Sequence, residues 1–229
     1  MFKGKKAAAL IIGLLCGSLV IGVGAAVSRT APSNATKLPE PKTTSPYSIE
    51  EAIKNRRSER EYKPVDLTAA QISQLLWAAQ GITDADWGLR SAPSAGAVYP
   101  LEIYVMRSTG IFHYLPQSHS LEQVSTEDRR AALSQAALGQ AFVANAPVTF
   151  VIAADFQKVR QKYGGRTERY VYIEAGHAAE NIHLQAVALG LGSIPVGAFW
   201  DDIAKKVISL PDNLFPIYII PTGYVAAGQ

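Results

Sequence analysis

The sequence predicts an α+β domain. Two segments open with reciprocal helix-capping signatures. An uninterrupted β-branched run at Val148 to Ala153 has the character of a buried strand. Helical and strand-like stretches then follow one another without the strict alternation that a doubly wound parallel sheet requires. The 229 residues suit one medium domain with an appendage, and 48% apolar content against 18% charged is enough for a sizeable core, which excludes a wholly disordered chain.

From the N-terminus, Lys3, Lys5 and Lys6 form a positive region, and Ala7 to Val27 is then uncharged and mostly apolar. At about 1.5 Å per residue such a helix is long enough for a hydrocarbon core of roughly 30 Å. Gly13, Gly17, Gly22 and Gly24 interrupt it, and Gly24-Ala25-Ala26 offers small residues for cleavage. Residues 1–27 are therefore expected to be a signal peptide or an N-terminal membrane anchor, and the protein to be exported (periplasmic or extracellular) or membrane-anchored. Residues 28–46 carry Pro32, Pro39, Pro41 and Pro46 among Ser and Thr, which reads as a linker, with the folded domain over residues 47–229.

Within that domain, Ser48-Ile-Glu-Glu51 is a capping box that opens a helix to about Arg56. Thr68-Ala-Ala-Gln71 is a second, followed by Ile72, Leu75, Leu76 and Ala79 at helical spacing and by Gly81 as the stop. Pro93 to Pro100 is a small-residue turn. Leu101 to Met106 alternates as a strand, with Ile111 to Leu115 as its hairpin partner. Thr126 to Leu138 reads as an amphipathic helix, Val148 to Ala153 as a strand and Asp155 to Tyr163 as a short helix. Thr167 to Gly190 is the longest helical stretch. Its Ala and Gly content permits close backbone approach and points to a central or interfacial helix. Ser193 to Phe199, Asp201 to Ile208 and Ile217 to Ile220 close the chain as strand, helix and strand.

Composition narrows the chemistry. One cysteine, Cys16, excludes an intramolecular disulfide framework and a cysteine-based metal site. The net charge of +3 is carried entirely by the three N-terminal lysines, so the remainder is neutral and no nucleic-acid partner is expected. Glu174-x-x-His177 and Glu180-x-x-His183 have the spacing of di-iron ligands, but both pairs lie on one helix. His177 and His183 are turned about 240° apart at roughly 100° per residue, so no metal site is expected.

Three motifs are candidates for a site. Arg56-Arg57-Ser58-Glu59-Arg60 sets three guanidiniums and a hydroxyl where a phosphate could be held by charge-assisted bonds. Its plainer reading is a solvated basic turn balanced by neighbouring glutamates. Pro93-Ser94-Ala95-Gly96-Ala97 lets backbone and the Ser94 hydroxyl approach a flat ligand, or is an ordinary surface turn. Pro195-Val196-Gly197-Ala198-Phe199 offers backbone donors beside an aromatic ring, or is a buried strand end.

These three motifs in this order resemble the nitroreductase superfamily of FMN enzymes, most closely its SagB/ThcOx-type dehydrogenase branch. Gln74-Leu-Leu-Trp-Ala-Ala-Gln-Gly81, Arg169-Tyr-Val-Tyr-Ile-Glu-Ala-Gly-His177 and Ile220-Pro-Thr-Gly-Tyr224 add to the resemblance, which spans about Tyr47 to Tyr224. The resemblance implies a central mixed or antiparallel sheet flanked by helices, and an intertwined homodimer dimerising through the helix from Arg169 to Gly190. It implies that Arg56, Arg57, Ser58 and Arg60 hold the FMN phosphate and ribityl chain. It also implies that Pro93, Ser94, Ala95 and Ala97 reach the flavin of the partner subunit. Pro195, Val196, Gly197 and Ala198 would lie beside the flavin's central ring, with the Gly197 N–H directed at N5, and Gln140 near its pyrimidine edge. Tyr99, Phe199 and Trp200 are candidates to line the substrate pocket.

The implied activity is ping-pong hydride transfer through flavin N5 to or from a small organic substrate, with NAD(P)H as a possible electron donor. No protein nucleophile is needed, because the flavin carries the chemistry. Two features depart from the family pattern: Ala97 replaces a common Asn, and no Lys or Arg follows the last strand to close on the phosphate. An electron-relay module and a membrane-tethered dimeric scaffold are the alternative readings.

Overall fold

The computed structural model describes residues 34–226. The expected leader over residues 1–27, including Cys16, lies outside them. Among the described residues no helix is long and apolar enough to cross a membrane.

A seven-stranded sheet forms the centre. Its strands are β1 (Ala35–Lys37), β4 (Leu101–Arg107), β5 (Gly110–Leu115), β6 (Ser120–Ser125), β7 (Val148–Ala154), β8 (Gly192–Ser193) and β9 (Phe215–Gly223). Their order is β1-β6-β5-β4-β7-β9-β8, and every neighbouring pair is antiparallel. Two further strands, β2 (Ile82–Asp84) and β3 (Leu89–Arg90), make a separate hairpin.

Alternation along the strands divides the core in two. Ile103, Val105, Phe150 and Ile152 face one side, where α2 (Ala69–Gln80) and α6 (Thr167–Ala188) pack with Ile72, Leu75, Leu76, Val171, Ala178 and Ile182. Tyr104, Met106, Val151 and Ala153 face the other. There α3 (Arg130–Ala136), α4 (Ala141–Asn145) and α7 (Asp201–Ile208) cover them with Leu133, Val143, Ala204 and Ile208. Strand β7 is buried at all seven positions, as a strand covered on both faces must be. The remaining helices, α1 (Ile49–Asn55) and α5 (Phe156–Tyr163), lie at the ends of α6.

Both capping boxes form: Ser48 caps α1 with Glu51, and Thr68 caps α2 with Gln71. Asp155 caps α5 through the amides of Gln157 and Lys158.

Three expectations need correction. First, the linker expected over residues 28–46 belongs to the domain from Ala35 onward. Strand β1 pairs with β6, Leu38 is buried, and Lys42 exchanges two hydrogen bonds with the Gln74 side chain. Proline carbonyls can accept where proline nitrogens cannot donate, and Pro39 O accepts from Ser73 Oγ. Second, the strand expected over Ser193 to Phe199 stops at Ser193, because Pro195 has no N–H to continue the ladder; it resumes only as a single Val196–Ile219 bridge. Third, the helix expected from Thr126 begins at Arg130, since Ser125 and Asp128 side chains bind the amides of Glu127 and Arg130 in turns instead.

Candidate functional site

Helix α1 ends at Arg56, whose backbone N–H closes the last turn on Ala52 O. The chain then runs extended beside β8. Ser58 bridges Ser193 in parallel, the Glu59 N–H donates to Ser193 O at 3.1 Å, and the Tyr62 hydroxyl donates to Glu59 O at 2.6 Å. This pairing fixes the arginine segment against the 193–198 segment, although more than 130 residues separate them in sequence.

The three guanidiniums are spent differently. Arg57 Nη1 donates to Lys54 O at 3.0 Å and Arg56 O at 2.7 Å, which caps the carbonyl end of α1. Arg60 reaches Ser58 O at 3.4 Å and lies 5.8 Å from the centre of the Phe142 ring. Arg56 Nη1 meets His183 Nε2 at 3.0 Å. Among the described residues no carboxylate lies within ion-pair distance of any of the three. Glu51, a neighbour that could have balanced them, is occupied by the Ser48 amide in the capping box. The three guanidiniums thus stand without an ion-paired neighbour among the described residues.

His183 lies on α6 and is 2% exposed. Burial, and then the Arg56 charge, push its pKa down to about 4, so the ring is neutral. An arginine only donates, so Nε2 is the acceptor and the proton sits on Nδ1, which donates to Ser193 Oγ at 2.6 Å. One imidazole thus joins the arginine cluster to β8.

Beyond Ser193, the Val196 N–H and carbonyl both bond to Ile219, at 2.8 and 3.0 Å. This anchors the segment while Gly197 and Ala198 remain exposed. Among the described residues nothing accepts from the Gly197 N–H. Space is open above Gly197: a Cβ there would meet only Tyr218 Cε1, at 3.8 Å. Gln140 joins this group, its Nε2 donating to Ala198 O at 3.1 Å and to Ala137 O at 2.8 Å. Phe199 is half-buried against the second core, and Trp200 is exposed at the start of α7.

The turn carrying Pro93, Ser94, Ala95 and Ala97 lies elsewhere. It bends through three left-handed residues, Gly96, Ala97 and Tyr99, at φ of 59°, 54° and 49°, two of which carry a Cβ. The Ser94 hydroxyl accepts from the Tyr99 N–H at 2.9 Å, and Lys162 Nζ donates to Gly96 O at 3.0 Å. Below the turn sits Glu174 of α6, nine residues before His183. That is about 13–14 Å along the helix at 1.5 Å per residue. Burial pushes the Glu174 pKa up to about 7, with the Ser94 hydroxyl and Arg90 opposing. Tyr99 stays with this turn, 4.8 Å beneath the Arg90 guanidinium, rather than with Phe199 and Trp200.

A single chain therefore brings together Arg56, Ser58, Arg60, Gln140 and Pro195 to Ala198, and holds the 93–97 turn apart. Sequence reasoning missed His183, Ser193, Phe142 and Glu174 as parts of these clusters. The pairing of His183 with Arg56 had no local signal, because the two meet across 127 residues.

Comparison with known proteins places the chain by family and by fold. The family model described as "Nitroreductase family" matches residues 53–224. MJ1384 of Methanocaldococcus jannaschii, a protein named for nitroreductase activity, is 40% identical over 181 residues, 76% of this chain and 90% of that protein. The FMN reductase (NADPH) of Bacillus subtilis is 26% identical over 190 residues, 77% of this chain and 65% of that one. A nitroreductase-class crystal structure from Ralstonia eutropha JMP134 superposes with a TM-score of 0.78 at 30% identity, covering 85% of this chain and 91% of its own.

Proposed function

The chain belongs to the nitroreductase family, and from that premise we propose that it is an FMN-dependent, SagB-type dehydrogenase acting on a small organic substrate. The observation that carries the proposal is the unneutralised arginine cluster fixed through Ser58 and Ser193 beside the open Gly197 amide. An anion and a flat ring system bound side by side need that juxtaposition.

The residues present fit FMN. Arg56, Ser58 and Arg60 would hold the phosphate, with Arg56 oriented by His183. The Gly197 N–H would donate to the ring system, and Gln140 would keep the Ala198 carbonyl turned away from it. Bound there, the flavin supplies hydride transfer through N5 in a ping-pong cycle, to or from the substrate. The protein's part is orientation: Val196 fixes the strand end, and Phe199 and Trp200 shape the approach. NAD(P)H is the proposed electron donor.

The proposal includes a homodimer. On α6, Ile173, Gly176, Glu180, Leu184 and Val187 follow helical spacing on the outer face, and Ile173 is 51% exposed. Ile49 and Ile53 of α1 are exposed as well. Covering this stripe with a second copy would bring the partner's 93–97 turn to each flavin. Export or anchoring by residues 1–27 completes the reading.

The test is the visible absorption spectrum of the purified full-length protein, before and after adding FMN and after heat release. A shifted flavin band with FMN recovered in the supernatant is expected. A folded dimer that takes up no flavin would overturn the oxidoreductase reading in favour of a scaffold.

A further inference from the structure

Glu174 lies under the 93–99 turn and is 3% exposed, yet its Oε1 has no hydrogen-bond partner among the described residues. Two other buried polar atoms without partners belong to residues that flank Arg90: Gln80 Nε2 and Ser91 Oγ. Arg90 could satisfy the carboxyl but is held elsewhere. Its Nη1 donates to Gln80 Oε1 at 2.9 Å, its guanidinium lies over the Tyr99 ring, and its backbone N–H donates to the Tyr99 hydroxyl at 3.2 Å.

The groups facing Glu174 are the Ser94 hydroxyl from the turn and the Arg90 guanidinium from β3. Arg90 faces Glu102, Tyr99 and Tyr114 in turn, and Lys162 and Tyr163 of α5 close over Gly96. The Ser94 oxygen accepts from the Tyr99 N–H, so its own proton is left for the carboxyl. The Ser94 side chain thus stands between the backbone of the left-handed turn and Glu174.

Resting on the flavin reading, we propose that Glu174 is a positioning residue, a proton-linked latch that in its neutral form keeps the 93–99 turn seated for contact with the partner subunit's flavin. An ionised carboxylate in that place would be desolvated and would draw Arg90 away from Gln80 and Tyr99. Lifting the turn returns the carboxyl to water and to an ordinary affinity for protons. Opening and deprotonation are therefore linked: while Glu174 is neutral when seated and ionised when exposed, each pH unit makes opening about tenfold easier.

The experiment follows amide hydrogen exchange of Ala97 and Tyr99 in the full-length protein from pH 5 to 8.5, corrected for intrinsic rates. FMN affinity is measured on the same samples. The wild type is expected to lose protection about tenfold per pH unit up to about 7 and then level off. Its FMN affinity should weaken over the same range. The isosteric Glu174→Gln should hold protection and affinity constant across it. Ser94→Ala, which removes a group that holds the Glu174 pKa down, should keep the slope and carry it to higher pH. Protection independent of pH in the wild type, or a slope that survives Glu174→Gln, overturns the latch. A pH-linked turn with an FMN affinity that ignores it overturns the positioning role. Absence of any FMN binding by the wild type defeats the flavin reading separately, while the exchange data still decide the latch.

Discussion

Arg56 donates through Nη1 to Nε2 of His183 at 3.0 Å, so a permanent cation is steered by an imidazole that burial keeps neutral. The imidazole is itself fixed by Ser193. The orientation of the guanidinium is thus set from inside the core rather than by a carboxylate, which would cancel its charge.

Replacing His183 should therefore weaken anion binding without touching the anion. His183→Ala is expected to lower FMN affinity about tenfold, since a hydrogen bond to a charged group contributes roughly 1.5–3 kcal/mol. His183→Asn, which can still accept from Arg56, should recover part of it. Fluorescence quenching titrations check this; equal affinities for all three proteins would separate His183 from the site.

The arginines should not be equivalent. Arg60→Ala is expected to reduce FMN retention by about 10- to 100-fold, the range set by losing one charge-assisted bond of roughly 1.5–3 kcal/mol. Arg57→Ala should cost FMN little and stability about 1 kcal/mol, because its guanidinium is committed to carbonyls at the end of α1. Equilibrium dialysis and urea unfolding of both variants distinguish the two roles.

Two buried groups pull the pH dependence of stability in opposite directions. Glu174 titrates at about 7 when folded, against an ordinary 4.5. The folded state holds its proton more tightly, so its contribution is full below 4.5 and is lost as pH rises through about 7. His183 titrates at about 4 when folded, against 6.5. Its contribution is full above 6.5 and is lost as pH falls through about 4. Between 4.5 and 6.5 the two slopes, each at most about 1.4 kcal/mol per pH unit, oppose one another. The urea midpoint of Glu174→Gln should therefore rise from pH 5 to 6.5, and that of His183→Asn should fall. Parallel behaviour of the two variants would contradict these environments.

The outer stripe of α6 supplies a fourth test. Ile173→Glu puts a charge in place of an exposed apolar side chain at the proposed partner contact. It is expected to shift the protein from dimer to monomer in light scattering and to lower flavin occupancy in proportion. A dimer that persists would place the interface elsewhere.

Much of this fold was legible in the sequence wherever a local rule decided the outcome. The Ser48 and Thr68 capping boxes, the Asp155 cap and the β-branched run of β7 needed no distant partner. Legibility failed where tertiary contacts decided. Strand β6 has only Leu121 and Val124 as apolar members and exists because β5 and β1 pair with it on either side. Helix α4 has five residues, too few to show a period. The arginine motif could be read, and so could the capture of Glu51 by Ser48, but not the lack of ion pairs to Glu50, Glu59 and Glu61, which side-chain geometry decides. Glu174 and His183 were visible as a spacing and were weighed only as metal ligands. Burial, which sequence spacing does not report, is what separates their roles.

The placement of β1 has a mechanical consequence. Its three residue pairs with β6, Ala35 with Glu122, Thr36 with Leu121 and Lys37 with Ser120, follow the Asn34 side-chain bond to Gln123 O and are the first strand pairing among the described residues. Behind them Leu38 is buried and Lys42 is clamped to Gln74. A pull along the chain from its N-terminal side would load this short outermost strand in series before it reached β7 or α6, so β1 would act as a fuse whose release spares the segments beside β8 at the opposite edge of the sheet.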